Sequence, residues 1–126
     1  MTRFLSINAD KAELKAELDE RPTSEEIWRQ LPLEANANLW GDEIYFPVPV
    51  SVGPEDDARE VVEAGDVCYW PQGDALCIFF GPTPASQDEK PRAASSVTVV
   101  GRVVEGLDSA KAVASGETLR VEGIEQ

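Results

Sequence analysis

Tyr45, Tyr69, Trp70, Phe79 and Phe80 fall within three neighbouring segments that read as strands, with Trp40 beside them. An aromatic set with a few polar residues among it can line a groove for a peptide or small molecule. The same set also fits ordinary core and sheet-surface packing. Strand parity separates the two uses, because Phe80 and Ile78 must face opposite to Phe79 and Cys77. Glu43 shares a face with Tyr45 and could place a carboxylate in such a groove, with Arg102 or Arg92 as its partner. A turn carboxylate and a solvated arginine are the plainer alternatives. Asp42 and Glu43 are adjacent, point to opposite sides of a strand, and cannot work as a paired acid and base. Thr83 and Ser86 follow the Phe79-Phe80 strand and could hydrogen-bond at a groove rim, but no residue supplies a base to activate either hydroxyl. The candidate ligand-binding residues are therefore Trp40, Glu43, Tyr45, Tyr69, Phe80, Thr83 and Arg102. No catalytic residue is assigned.

Composition narrows the chemistry further. The chain has no histidine, which removes Ser-His-Asp and Cys-His catalysis and the usual zinc ligand sets. Its two cysteines, Cys68 and Cys77, match no metal-ligand spacing. Gly73, Gly81 and Gly101 fit neither the dinucleotide fingerprint nor the P-loop, so nothing calls for a nucleotide, a metal or another cofactor. Acidic residues outnumber basic ones 24 to 11, for a net charge of −13. That field disfavours nucleic acid and anionic lipid as partners and leaves a peptide or small molecule. It could attract a cationic ligand, or it could be a solvated acidic surface. No run approaches the ~18 apolar residues of a membrane span, and the first residues lack the apolar stretch of a signal peptide. The expectation is a cytoplasmic protein.

The elements that must position these residues follow from periodicity. At 126 residues the chain reads as one domain spanning 1–126, large enough to bury about two-thirds of its unfolded surface. Thr2 to Asn8 alternates, and Lys11 to Leu18 alternates again with Ala12, Leu14, Ala16 and Leu18 on one face. The two form a hairpin. Pro22 to Leu31 predicts a short helix carrying an Ile27, Trp28, Leu31 stripe, with Thr23 and Glu26 as a capping box. Strands follow around 33–39 and 44–50, with Gly41-Asp42 as the turn between them. Arg59 to Ala64 is ambiguous between a helical turn and a strand. Val67 to Trp70 and Ala75 to Phe80 make a hairpin around the four-residue loop Pro71-Gln72-Gly73-Asp74. That loop sets Trp70 opposite Ala75 and Cys68 opposite Cys77, two neighbouring reduced cysteines on the face of Trp70 and Phe79. Pro82 to Ala94 reads as a long loop, Val97 to Val104 as a strand, Ser109 to Ser115 as a helix, and Leu119 to Ile124 as the closing strand.

Several of these segments resemble a known family. Val97 to Val113 runs as a strand, a Gly-Arg-Val-Val-Glu-Gly-Leu-Asp turn and a short helix capped by Asp108, and it is similar to the carboxyl-terminal part of cyclophilins. The closer resemblance is to the small, uncharacterised cyclophilin-like proteins of archaea and bacteria. It is carried by Trp40 to Phe46, Gly65 to Val67 with Tyr69-Trp70-Pro71, Ala75 to Gly81 and Val99 to Val104. The resemblance implies a mainly β fold, a closed cyclophilin-like β-barrel with two short helices capping its ends. Classical cyclophilins are peptidyl-prolyl isomerases, and Phe80 matches the aromatic that lines their proline pocket. Their catalytic arginine segment has no counterpart here, and Val97 stands at the position of their histidine. The implied function is a binding domain for a peptide, a proline-containing segment or a small molecule, without prolyl isomerase activity. An atypical isomerase is the alternative, and a partner-dependent subunit in amide or lactam hydrolysis a more distant one.

Overall fold

The computed structural model describes residues 2–126. It is mainly β, with ten strands in one sheet system. The amino-terminal hairpin joins β1 (Arg3–Asn8) to β2 (Glu13–Leu18), pairing Leu5 with Ala16 and Ile7 with Leu14. The alternation of β2 is realised in full. Leu14, Ala16 and Leu18 are buried, as is Ala12 before the strand, while Glu13 and Glu17 are exposed and Lys15 half-exposed. Burial of one pleat face overrides the helical preference of Ala, Glu and Lys.

Helix α1 (Pro22–Arg29) has its N-cap two residues before the Thr23 of the proposed capping box. Arg21 is its N-cap and makes no side-chain cap, so the Thr23 box does not form. Pro22 opens the first turn with a preset φ and no amide hydrogen to satisfy. The Thr23 amide instead donates to Glu55 Oε2 at 3.0 Å, and Glu26 pairs with Arg29. A carboxylate more than thirty residues away thus does what the local one was expected to do. Ile27 is fully buried, and Trp28 and Leu31 pack against the same core, with the Trp28 indole lying over Gly123.

The remaining strands are β3 (Leu33–Asn36), β4 (Asn38–Leu39), β5 (Glu43–Pro47), β6 (Arg59–Val61), β7 (Asp66–Trp70), β8 (Ala75–Phe79), β9 (Arg92–Glu105) and β10 (Thr118–Glu125). They follow the order β3-β10-β1-β2-β9-β7-β8-β5-β4, with β6 pairing β9. The ambiguous 59–64 region therefore contributes a short strand. Strand β9 begins at Arg92, earlier than the expected Val97, because its start pairs with β6.

Two expectations are corrected. The sheet is not closed by hydrogen bonds: among the described residues no ladder joins its terminal strands β3 and β4. The chain itself passes between them, since Asn36 ends β3 against β10 and Asn38 starts β4 against Tyr45 of β5. The helix expected at Ser109 to Ser115 is a 3-10 turn at Leu107–Ala112, whose N-cap is Gly106 and not Asp108. Its hydrogen bonds run from the Ser109 amide to Gly106 O and from the Val113 amide to Ala110 O. Six residues are too few to sustain an α-helix without a broad apolar face. Gly106 has φ +83, and a Cβ there would meet the Glu13 carbonyl oxygen at 1.9 Å, so glycine is required.

The main core lies between the faces of this sheet and under α1, filled by Leu5, Ile7, Ile27, Phe46, Tyr69, Ile78 and Val121 among others. A second apolar group, Val62, Cys68, Cys77, Phe79, Ala93 and Val97, occupies the opposite face of the β5-β8-β7-β9 segment.

Candidate functional site

The hairpin of β7 and β8 sets the register on which the site is built. Its Pro71–Gly73 turn and left-handed Asp74 connect Trp70 to Ala75, directly paired, and Cys68 to Cys77. Strand β5 pairs along the other side of β8, setting Glu43 opposite Phe79 and Tyr45 opposite Cys77. Glu43, Tyr45, Cys68, Trp70, Cys77 and Phe79 thus share one face, as period two requires. Tyr69 turns to the main core.

On that shared face Trp40, Glu43, Tyr45 and Trp70 line a cleft of about 200 Å³, completed by Ala93, Ala94 and Val97 of β9. Tyr45 and Trp70 meet edge to face, with ring centroids 6.0 Å apart and planes at 80°. The Trp70 indole nitrogen donates to Ser95 Oγ at 2.6 Å, and Ser95 Oγ donates to Gln72 Oε1 at 2.9 Å. This chain fixes the rotation of the indole while leaving ring surface toward the cleft. The small side chains Ala93 and Ala94 leave room that larger residues on β9 would fill.

Trp40 and Glu43 are positioned by the turn between them. The Trp40 amide donates to Glu43 O at 3.0 Å, and the turn is tied to the segment after β8 by Asp42 N–H to Pro82 O and Phe80 N–H to Asp42 O, both 2.9 Å. Gly41 sits at φ +60, where a Cβ would lie 2.8 Å from Pro84 Cδ and from Thr83 Cα. Only glycine allows that approach. Thr83 holds the other side. Its hydroxyl donates to Arg92 O, and its amide donates to Ser86 Oγ at 2.9 Å.

Glu43 is the chemically distinctive member of the cleft. It is 5% exposed, and burial pushes its carboxyl up from 4.5 to about 7, offset in part by a hydrogen bond with the Cys77 thiol. Burial holds the Cys68 and Cys77 thiols well above their ordinary value, with Glu43 reinforcing the effect on both. Both cysteines are free. Thiols kept protonated in this way are poor nucleophiles and poor metal ligands. Among the described residues no group of three acidic or cysteine side chains could hold a metal ion.

The proposed residues therefore separate in space. Trp40, Glu43 and Tyr45 meet in the cleft. Tyr69 is wholly buried on the other face, its hydroxyl donating to Val50 O at 2.7 Å and accepting from the Val52 amide at 3.3 Å. Phe80 packs against the main core. Thr83 is buried and spends its hydroxyl within the loop. Arg102 is largely exposed and pairs with Asp66 Oδ1 at 3.1 Å. Trp70 belongs to the cleft but was not among the proposed ligand-binding residues. Its parity with Phe79 and Cys77 carries the signal that would have added it.

Family comparison agrees with this architecture. The cyclophilin-like family model matches residues 3–122. The chain belongs to the cyclophilin-like family. This cyclophilin-like domain is also similar to a hypothetical protein from Archaeoglobus fulgidus whose structure was determined in solution. The two are 48% identical over 96% of this chain and 93% of that one, with a TM-score of 0.82. No curated protein matches the chain. No described helix of the domain is long and apolar enough to cross a membrane.

Proposed function

We propose that this cyclophilin-like domain is a binding module whose ligand enters the cleft between Trp40, Tyr45 and Trp70. The observation that carries the reading is a nearly buried carboxyl, Glu43, in the lining of an otherwise aromatic and apolar cleft. Pockets for drug-sized ligands usually measure ~300–1,000 Å³. A cleft of about 200 Å³ instead suits one head group of a small molecule or one side chain of a peptide. A proline-containing segment falls within this class.

Prolyl isomerisation is the less favoured use. Its catalysts stabilise a twisted amide with a well-placed donor, a contribution often worth ~3–4 kcal/mol. The cleft lining holds no arginine, and Phe80, the expected proline-pocket aromatic, packs against the main core. Rates on standard proline peptides should stay near background. An ordinary cyclophilin rate, lost in Phe80→Ala, would reverse this assignment.

The three tryptophans provide a direct test. Trp40 and Trp70 line the cleft, whereas Trp28 packs over Gly123. In a fragment screen read by the indole N–H resonances, binders should shift Trp40 and Trp70 and leave Trp28 in place. Binders that move only Trp28, or a broad fragment set that moves neither cleft indole, would refute the cleft as the ligand site.

A further inference from the structure

Two carboxyl groups belong to the buried set among the described residues, Glu43 and Asp66, and they are treated differently by the fold. Asp66 accepts from Arg102 and from the Glu63 amide. Glu43 has the Cys77 thiol as its side-chain partner and no basic group acting on it. A carboxyl buried without a cation is costly, so its natural complement is a positive charge brought in from outside.

The walls around it have the matching chemistry. The Tyr45 and Trp70 rings meet at 80° and make an aromatic corner, and Trp40 adds a third ring to the lining. Ring faces attract cations through their quadrupole, most strongly where water is excluded, and several rings together recognise quaternary ammonium groups. Ala93 and Val97 supply apolar surface for alkyl substituents that a bare, strongly hydrated ammonium would not need. A net charge of −13 adds long-range attraction for a cation. The volume of about 200 Å³ lies below the ~300–1,000 Å³ of pockets for drug-sized ligands and is on the scale of a head group.

From this geometry we infer that the cleft is a seat for an alkylated ammonium group, with Trp40, Tyr45 and Trp70 packing around the cation and the Glu43 carboxylate neutralising it. The inference rests on the reading of the cleft as a ligand site and names the ligand class. The titratable groups around Glu43 are compatible with it. Cys77 of β8 and Cys68 of β7 are held as neutral thiols, Asp66 and Arg59 act with opposite sign on Cys68, and Tyr45 lies on the same strand as Glu43. Glu43, raised to about 7, is then the group whose ionisation controls cation binding near neutral pH.

Choline and its neutral carbon isostere, 3,3-dimethylbutan-1-ol, separate charge from shape. Titrated into the protein at pH 8 and followed by the indole resonances, choline should shift Trp40 and Trp70 and bind roughly tenfold more tightly than the isostere. Choline affinity should rise from pH 5.5 to 8.5 while the isostere's stays level. Glu43→Gln should remove most of choline's advantage and its pH dependence without removing isostere binding. A peptide carrying trimethyl-lysine distinguishes the two sources of the same head group. Binding much tighter than choline points to a polypeptide ligand, and equal binding points to a free small-molecule ammonium. If choline and the isostere bind the cleft equally, or choline binding strengthens as pH falls, the cationic assignment is wrong while the cleft remains a ligand site. If neither cleft indole responds to any of the three probes, the cationic assignment is wrong; the cleft itself falls only if the broad fragment screen also leaves both indoles in place.

Discussion

The two faces of the β5-β8-β7 segment are made by the same residues in alternation, yet they end in opposite states. One face carries Phe46, Tyr69, Leu76 and Ile78 into the main core, where all four are essentially inaccessible. Its polar atom is matched, because the Tyr69 hydroxyl reaches Val50 O. The other face carries Glu43, Tyr45, Trp70, Cys77 and Phe79. Cys77 and Phe79 are sealed, but Tyr45 and Trp70 are only partly buried, and the Glu43 carboxyl has no cation. The first face is sealed throughout, whereas the second keeps a carboxyl without a cation and open aromatic surface. Pleat parity delivers both from one stretch of sequence.

The largest expected effect breaks this comparison most directly. Phe46→Ala should cost about 3–5 kcal/mol in urea unfolding, the range for deleting a buried aromatic. Tyr45→Ala, one residue away on the half-open face, should cost less than half as much. Equal losses would show that the cleft face is as much a core as the other.

Next is the pH dependence of Glu43. Its folded value of about 7 exceeds the ordinary 4.5, so the native state holds this proton more tightly than the unfolded chain does. The contribution to stability is complete below about 4.5 and is lost as pH rises through 7. At about 1.4 kcal/mol per unit the loss is of the order of 3 kcal/mol. Asp57 and Glu117, whose values are lowered, titrate in the opposite direction. The difference between the wild type and Glu43→Gln across pH 4 to 8 isolates the effect. The variant should gain relative stability as pH rises, and a flat difference would show that the carboxyl is well solvated.

A smaller effect concerns the sealed part of the cleft face. Converting both Cys68 and Cys77 to Ala should destabilise the fold by about 1–2 kcal/mol through lost packing. Fragment binding at the tryptophans should persist. Binding lost with stability unchanged would make the thiols part of the site.

The smallest effect is global. Molar potassium chloride should raise the melting midpoint by a few degrees through screening of the −13 charge. The shift should be similar in Phe46→Ala and Tyr45→Ala, since it reports the whole surface and neither face. A lower midpoint at high salt would show that the pairs around Arg21 and Arg3 outweigh the repulsion.

How far the site could be read in advance depends on the range of the interaction involved. The Cys68-Cys77 register followed from a four-residue turn, and the separation of Tyr69 and Phe80 from Trp70 and Phe79 followed from counting along a strand. Both are local. Thr83 stands beside an aromatic strand, but its hydroxyl is satisfied by Arg92 O across the loop, a contact that no spacing announces. Arg102 was a candidate partner for Glu43 and instead meets Asp66, because β9 pairs with β7 and sets the two residues opposite each other.

The sequence by itself determined the alternating strands, the two hairpins, the register of the Cys68-Cys77 hairpin, the membership in a cyclophilin-like fold and the exclusion of histidine chemistry. These depend on backbone periodicity, turn length and composition, which a one-dimensional chain displays. Tertiary structure alone decided that Glu55 caps α1, that the strand after the helix divides its pairing between the two ends of the sheet, and that residues 107–112 wind as a 3-10 turn. It also brought Trp40, Tyr45 and Trp70 around Glu43 and left that carboxyl without a basic neighbour. Such outcomes depend on which distant groups share a desolvated space, and the free energy of a charge or an aromatic ring there is set by those neighbours.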